Sequence, residues 1–204
     1  MKRICLYMAV VMLFLAAPAW ATTIFTSESS FLGQILPGYY LEDFEHVDPP
    51  FDGSQLDATF GPENGFSWEV QAPLGLYSIN NALSTFDASD KLFITFSGRP
   101  VTATGGVFAS TDIDGNIIPQ IVTVTLNDGT SATILGSGFL GFTSLIPIIS
   151  LEVDGINDPI LNFPQMDHFY VGAMAGVKVP EPSLIILLGS GLIGLIGLRK
   201  KLIS

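Results

Sequence analysis

The interior of this 204-residue chain predicts an all-β fold, a jelly-roll-like β-sandwich, and three observations carry that expectation. Short apolar runs recur between clusters of Gly, Pro, Asn and Asp, which is the rhythm of strands and turns. No long stretch with a 3.6-residue period lies between the two ends of the chain. Asn127-Asp128-Gly129-Thr130 joins two β-rich runs, and Asp-Gly supplies the positive φ that a tight hairpin needs. Many short strands with regular turns build two packed antiparallel sheets rather than a parallel sheet flanked by helices.

Taken in order, the chain opens with Lys2 and Arg3 before an apolar run from Ile4 to Ala17. Ala19 and Ala21 are the small residues a signal peptidase needs, so residues 1–21 read as a signal peptide cleaved after Ala21. One short helix follows. Ser27 caps it, Phe31, Leu32, Ile35 and Leu36 give it an apolar side, and Pro37-Gly38 ends it. Strands are expected from Tyr39 to Glu45 and from Lys91 to Ser97, the latter with Leu92, Ile94 and Phe96 on one face. Gln120 to Leu126 buries Val122, Val124 and Leu126, and further strands run over Phe139–Thr143, Ile148–Val153 and His168–Ala173.

Residues 22–178 form the expected ectodomain, long enough for one domain with a substantial core. The sole cysteine, Cys5, leaves with the signal, so disulfides, thiol catalysis and thiolate metal sites are excluded from the mature chain. The formal charge is -11 overall, but five of the eight basic residues belong to the two ends. Only Lys91, Arg99 and Lys178 remain against eighteen acids, giving the ectodomain about -15. Such a surface repels nucleic acid and anionic lipid.

Enzyme signals are thin. His46 and His168 belong to no H-E-x-x-H pair, and no G-x-S-x-G elbow is present. Acids are too many for one catalytic pair to stand out, so a non-enzymatic protein is expected, with a secreted polysaccharide hydrolase as the alternative. The aromatics Phe51, Phe60, Phe66, Trp68, Tyr77 and Tyr170 offer a better lead, because a flat ring beside Asn or Asp grips sugars. Trp68, between Ser67 and Glu69, is the candidate ligand-binding residue; core packing is the favoured reading of aromatics in such a fold.

The C-terminal end has a distinct design. Val179, Pro180, Glu181 and Pro182 hold the chain extended and bar a helix from running through them. An apolar block from Leu184 to Leu198 reads as a transmembrane helix, somewhat shorter than the roughly 20 residues of an untilted span. Arg199, Lys200 and Lys201 form the basic cluster that stays cytoplasmic and fixes orientation. In this order of motif, helix and basic end, residues 179–204 resemble the PEP-CTERM sorting signal of bacterial surface proteins. The resemblance implies recognition near Pro-Glu-Pro by the membrane peptidase exosortase. It also implies transient anchoring in the inner membrane, then residence at the cell surface or in an exopolysaccharide matrix. The alternative is a simple membrane-anchored periplasmic domain.

The ectodomain resembles a common module of PEP-CTERM proteins in three segments: Leu41–Glu45, Pro100–Phe108 and Met166–Gly172. The resemblance implies a sandwich similar to galactose-binding and carbohydrate-binding modules, whose first and last strands lie close and can share a structural calcium. Calcium takes six to eight oxygens. Alternation would put Asp43 and Glu45, beside Glu42, on one face, with Asp167 as partner if the sandwich termini meet. Edge-strand charges that discourage aggregation are the favoured reading of the same acids. Asp112-Ile113-Asp114-Gly115-Asn116 lacks the glycine and glutamate spacing of an EF-hand loop and reads as an Asp-Gly turn.

Overall fold

The computed structural model describes residues 22–47, 50–155 and 162–176. It contains two antiparallel sheets packed face to face. The first, seven-stranded, contains β1 (Thr23–Phe25), β2 (Tyr40–Glu42), β5 (Leu76–Ile79), β6 (Ala82–Thr85), β8 (Ala103–Thr111), β11 (Ser137–Thr143) and β13 (Phe163–Gly172). Its order is β1-β11-β8-β13-β6-β5, with β2 pairing the far half of β13. The second, six-stranded, contains β3 (Asp57–Glu63), β4 (Phe66–Gln71), β7 (Lys91–Gly98), β9 (Ile121–Leu126), β10 (Ser131–Leu135) and β12 (Ser150–Gly155), in the order β10-β9-β12-β7-β4-β3. Apart from the β3–β4, β5–β6 and β9–β10 hairpins, neighbouring strands are not consecutive in sequence, because the chain crosses repeatedly between the sheets.

Alternation along the strands sets the core. Leu92 and Ile94 of β7, Val122 and Val124 of β9 and Val153 of β12 are fully buried on one side. Leu83, Phe108, Leu140, Phe142 and Phe169 face them from the seven-stranded sheet. In β13 both Met166 and Phe169 are core residues although an odd spacing separates them. A bulge between Asp167 and Tyr170, with His168 at φ 45°, inserts the extra residue that restores the face.

The single short helix, α1 (Glu28–Leu32), lies on the outer face of the seven-stranded sheet. Gly105 and Gly141 oppose each other there, with the Phe31 ring over Gly141 and the Phe139 ring beside Gly105. A Cβ on Gly141 would stand 2.6 Å from Phe31 Cδ2, so this contact requires glycine. Phe25, Phe139 and Tyr170 pack around the Phe31 ring, and Tyr39 meets Tyr170 edge-on. Ser27 occupies the N-cap with extended dihedrals, but its hydroxyl meets Ser29 rather than a helix amide. The helix ends at Leu32 instead of continuing to Leu36, because Ile35 pairs with Met174 as an isolated bridge.

The strand expected from Tyr39 to Glu45 stops at Glu42, where the Glu42 carboxylate accepts the Phe44 amide and Phe44 turns left-handed at φ 55°. The Asn127–Thr130 hairpin forms as the sequence predicts, with Gly129 at φ 85° and Asp128 Oδ1 accepting the Thr130 amide.

Candidate functional site

A groove of about 500 Å³ opens on the outer face of the seven-stranded sheet at its β5 edge, a size typical of small-ligand pockets. Register explains its walls. Tyr77 and Ile79 of β5 point outward, Ser84 of β6 pairs with Tyr77, and Phe163 of β13 pairs with Thr111 of β8. Phe86, just past β6, and Ile113, in the turn after β8, stand at the rim with 53% and 74% of their surfaces exposed.

The rim is held rigidly. Phe86 lies flat on Gly53, where an added Cβ would meet the ring at 2.3 Å, and Gly53 in turn rests against the Gly75 backbone. Both glycines have positive φ, so the sequence can place backbone under the ring only with that residue type. Tyr77 meets Phe86 edge-on with ring centroids 6.1 Å apart. A large ring held half-exposed by its backing is a preorganised platform.

The polar groups of the groove are mostly acceptors. Ser84 donates to the Pro164 carbonyl, Thr85 to that of Asp87 and Thr111 to that of Phe163, so each hydroxyl retains only its lone pairs. Asp87 accepts the Ser89 hydroxyl and amide, and these bonds hold its carboxyl below the usual range. Asp112 is held low in the same way by the side chain and amide of Asn116, with Asp114 N–H adding a third donor. That turn, closed by the Asp112–Asn116 backbone bond, is the Asp-Gly turn the sequence predicts. These hydrogen bonds favour the ionised form of both carboxyls.

Trp68 is not at this site. It is 0% exposed, stacked on Phe60 at 4.2 Å and boxed by Phe44, Tyr40 and Phe169. The candidate sugar-binding role of Trp68 is therefore corrected, and the core packing favoured for the aromatics holds there: β4 alternates Phe66, Trp68 and Val70 into the core, while Ser67 and Glu69 face out. Its Nε1–H is buried without a hydrogen-bond acceptor, near the Tyr40 hydroxyl, which gives its own proton to Glu42. Of the aromatics singled out in the sequence, Tyr77 is the one that lines the groove; Phe86 and Phe163 were not foreseen. The signal for Phe86 was Gly53 and Gly75, distant in sequence and meaningful only together.

The acids considered for calcium are placed differently from a coordination shell. β2 and β13 do pair, so the early and late strands meet. Left-handed Phe44 cancels the alternation that would align Asp43 with Glu45, and Asp43 instead accepts the Glu45 amide. Asp167 is engaged by His168, whose Nδ1 lies 2.9 Å from Oδ2 and whose amide donates to Oδ1. Asp43 and Glu28 add their fields, and together these acids raise the His168 imidazole, Asp167 contributing most. Glu28 also accepts the Tyr170 hydroxyl, tying α1 to β13. Among the described residues no group of three or more His, Cys, Asp or Glu is arranged to hold a metal.

The expected signal peptide with Ala19 and Ala21, the Val179–Pro182 motif, the expected Leu184–Leu198 span and the Arg199–Lys201 cluster lie outside the described residues, and no described helix is long and apolar enough to cross a membrane. No curated protein and no solved structure matches the chain. One family model does match, the PEP-CTERM protein-sorting motif, over residues 178–201. The match spans the prolines, the apolar block and the basic cluster, so the chain carries a PEP-CTERM protein-sorting motif, which implies processing by an exosortase and sorting to the cell surface.

Proposed function

We propose that this protein is a non-enzymatic component of the cell surface or extracellular matrix, whose sandwich binds polysaccharide through the Tyr77–Phe86–Phe163 groove. Export begins at a signal peptide cleaved after Ala21. A C-terminal helix then holds the chain in the inner membrane until an exosortase cuts near Pro180–Pro182. The sandwich is of the jelly-roll kind and similar in use to carbohydrate-binding modules, taking exopolysaccharide as its ligand and needing no cofactor.

The observation that carries the reading is the groove itself: an exposed ring backed by glycine, flanked by a second aromatic and floored with acceptor oxygens. A pyranose presents an apolar face of C–H bonds to stack on such a ring and a belt of hydroxyl donors for the acceptors. The lowered carboxyls of Asp87 and Asp112 support binding over hydrolysis.

Affinity electrophoresis of the mature protein through gels containing exopolysaccharide from its own host tests the reading. Retardation that disappears in Phe86→Ala is expected. Equal mobility of both proteins with and without polysaccharide overturns it.

A further inference from the structure

The groove that would take a sugar also has a sign of charge. Asp87 and Asp112 stand at its wall, their ionised forms favoured by their own turns, and among the described residues no Lys, Arg or His lines it. Lys91, on the other sheet, is consumed by Glu152 at 2.7 Å and Asp154 at 2.9 Å, and Arg99 lies over the Phe66 ring. The floor hydroxyls of Ser84, Thr85 and Thr111 have already given their protons to backbone carbonyls. Among the described residues, every polar side chain lining the groove apart from the Tyr77 hydroxyl therefore asks the ligand for a donor.

An acidic sugar supplies the opposite. A uronate carboxylate or a sulfate would bring acceptors and negative charge to a wall that, the Tyr77 hydroxyl aside, offers neither proton nor cation, in a domain of about -15. A neutral sugar supplies hydroxyl donors. A hexosamine with a free amine supplies three N–H donors and a positive charge beside two carboxylates.

Resting on the proposed sugar-binding role of the groove, we infer that it selects basic glycans: chains of hexosamine with free amino groups, over neutral ones, with acidic polysaccharides excluded. Asp87 and Asp112 are the residues that set this selectivity, and Phe86 supplies the stacking surface common to all ligands.

The test is calorimetric titration of the processed, exported protein with three defined probes: a chitosan hexamer, its fully N-acetylated counterpart and a hexagalacturonate. The expected order is chitosan hexamer first, acetylated hexamer weaker and hexagalacturonate undetectable. Exposed carboxylate–ammonium pairs give up to about fivefold each, so Asp87→Asn and Asp112→Asn should each remove up to that factor for the chitosan probe alone. Both variants keep their turn acceptors, and an unchanged Tm verifies folding. Glu69→Gln on β4, which faces out from the opposite sheet, controls for general attraction to an acidic protein and should change nothing. Loss of the chitosan preference in Glu69→Gln as large as in Asp112→Asn overturns the inference, as does binding of hexagalacturonate. If the acetylated hexamer binds through Phe86 with no preference for the free amine, the selectivity fails while the sugar site stands. If no probe binds and Phe86→Ala is silent on host polysaccharide too, the sugar-binding reading itself falls.

Discussion

Replacing Gly141 with alanine measures how tightly the outer face of the seven-stranded sheet is built. In an open strand position, Gly→Ala stabilises by about 0.4–1 kcal/mol, because the unfolded chain loses freedom it no longer has to surrender. At Gly141 the new methyl would stand 2.6 Å from Phe31 Cδ2, 2.8 Å from Phe31 Cγ and 2.9 Å from Phe139 Cε1. Phe31 is 0% exposed and packed against the rings of Phe25, Phe139 and Tyr170, so it has little room to retreat. Overpacking of this kind costs about 1–3 kcal/mol, which outweighs the entropic gain and reverses the sign. For a domain of this size each kcal/mol moves Tm by roughly 2–4 °C, so a fall of about 2–12 °C is expected in thermal unfolding followed by circular dichroism. Gly33→Ala is the comparison, since its Cβ meets only ordinary contacts from 3.5 Å, and it should be neutral or stabilising. Phe31→Leu, which vacates the ring edge, should make the Gly141 substitution less costly, with a coupling above about 0.5 kcal/mol in the double-mutant cycle. If Gly141→Ala raises Tm as Gly33→Ala does, or the two Phe31-site effects simply add, the glycine platform under α1 is refuted.

Further outcomes are expected. Trp68→Ala should cost about 3–5 kcal/mol in chemical denaturation through the cavity it leaves, whereas Phe86→Ala, at a half-exposed ring, should abolish polysaccharide binding with little change in Tm. The imidazole of His168 is raised in the folded state, so its protonation stabilises the fold fully below the unfolded value near 6.5 and that contribution is lost as pH rises through the folded pKa. With its side chain about half exposed, solvent screening keeps the effect to a few tenths of a kcal/mol. Stability should therefore decline slightly from pH 6 to 8, and His168→Gln should flatten that slope in denaturation midpoints. Adding calcium should leave Tm where it is, since Asp43, Glu45 and Asp167 are not gathered into a shell; a rise of several degrees would show that they are.

Much of the sandwich was legible because the informative strands bury one face. β7 and β9 alternate in the sequence and alternate in the structure, and Asp128-Gly129 makes the hairpin between β9 and β10. β8 was less visible as a strand because its Ala-Thr-Gly-Gly run shows no alternation: it is central, and neighbours cover both its faces. The same double coverage explains its glycines: Gly105 lies against Gly141 and the Phe139 ring on one side, and Gly106 against Phe169 on the other. Strands β3 to β6 were missed although Phe66, Trp68 and Val70 carry a clear two-residue period. That period, read literally, would also have placed Trp68 inside. Asp43 and Glu45 misled in the opposite way, since alternation was extended past Glu42 into a residue that turns left-handed. The groove was the least legible part. Its rings come from β5, the end of β6 and β13, and what unites them is a glycine–glycine backbone contact between Gly53 and Gly75 that no local pattern announces.

The account rests on a domain that is exported, cut free of its tail and left among surface polysaccharides. Fractionation of native host cells with mass spectrometry of the mature C-terminus tests it most directly. The account predicts surface or matrix protein that begins at Thr22, ends between Pro180 and Ser183 and lacks residues 184–204. An intact Ser204 terminus on protein retained in the inner membrane would contradict it and leave a plainly anchored periplasmic domain.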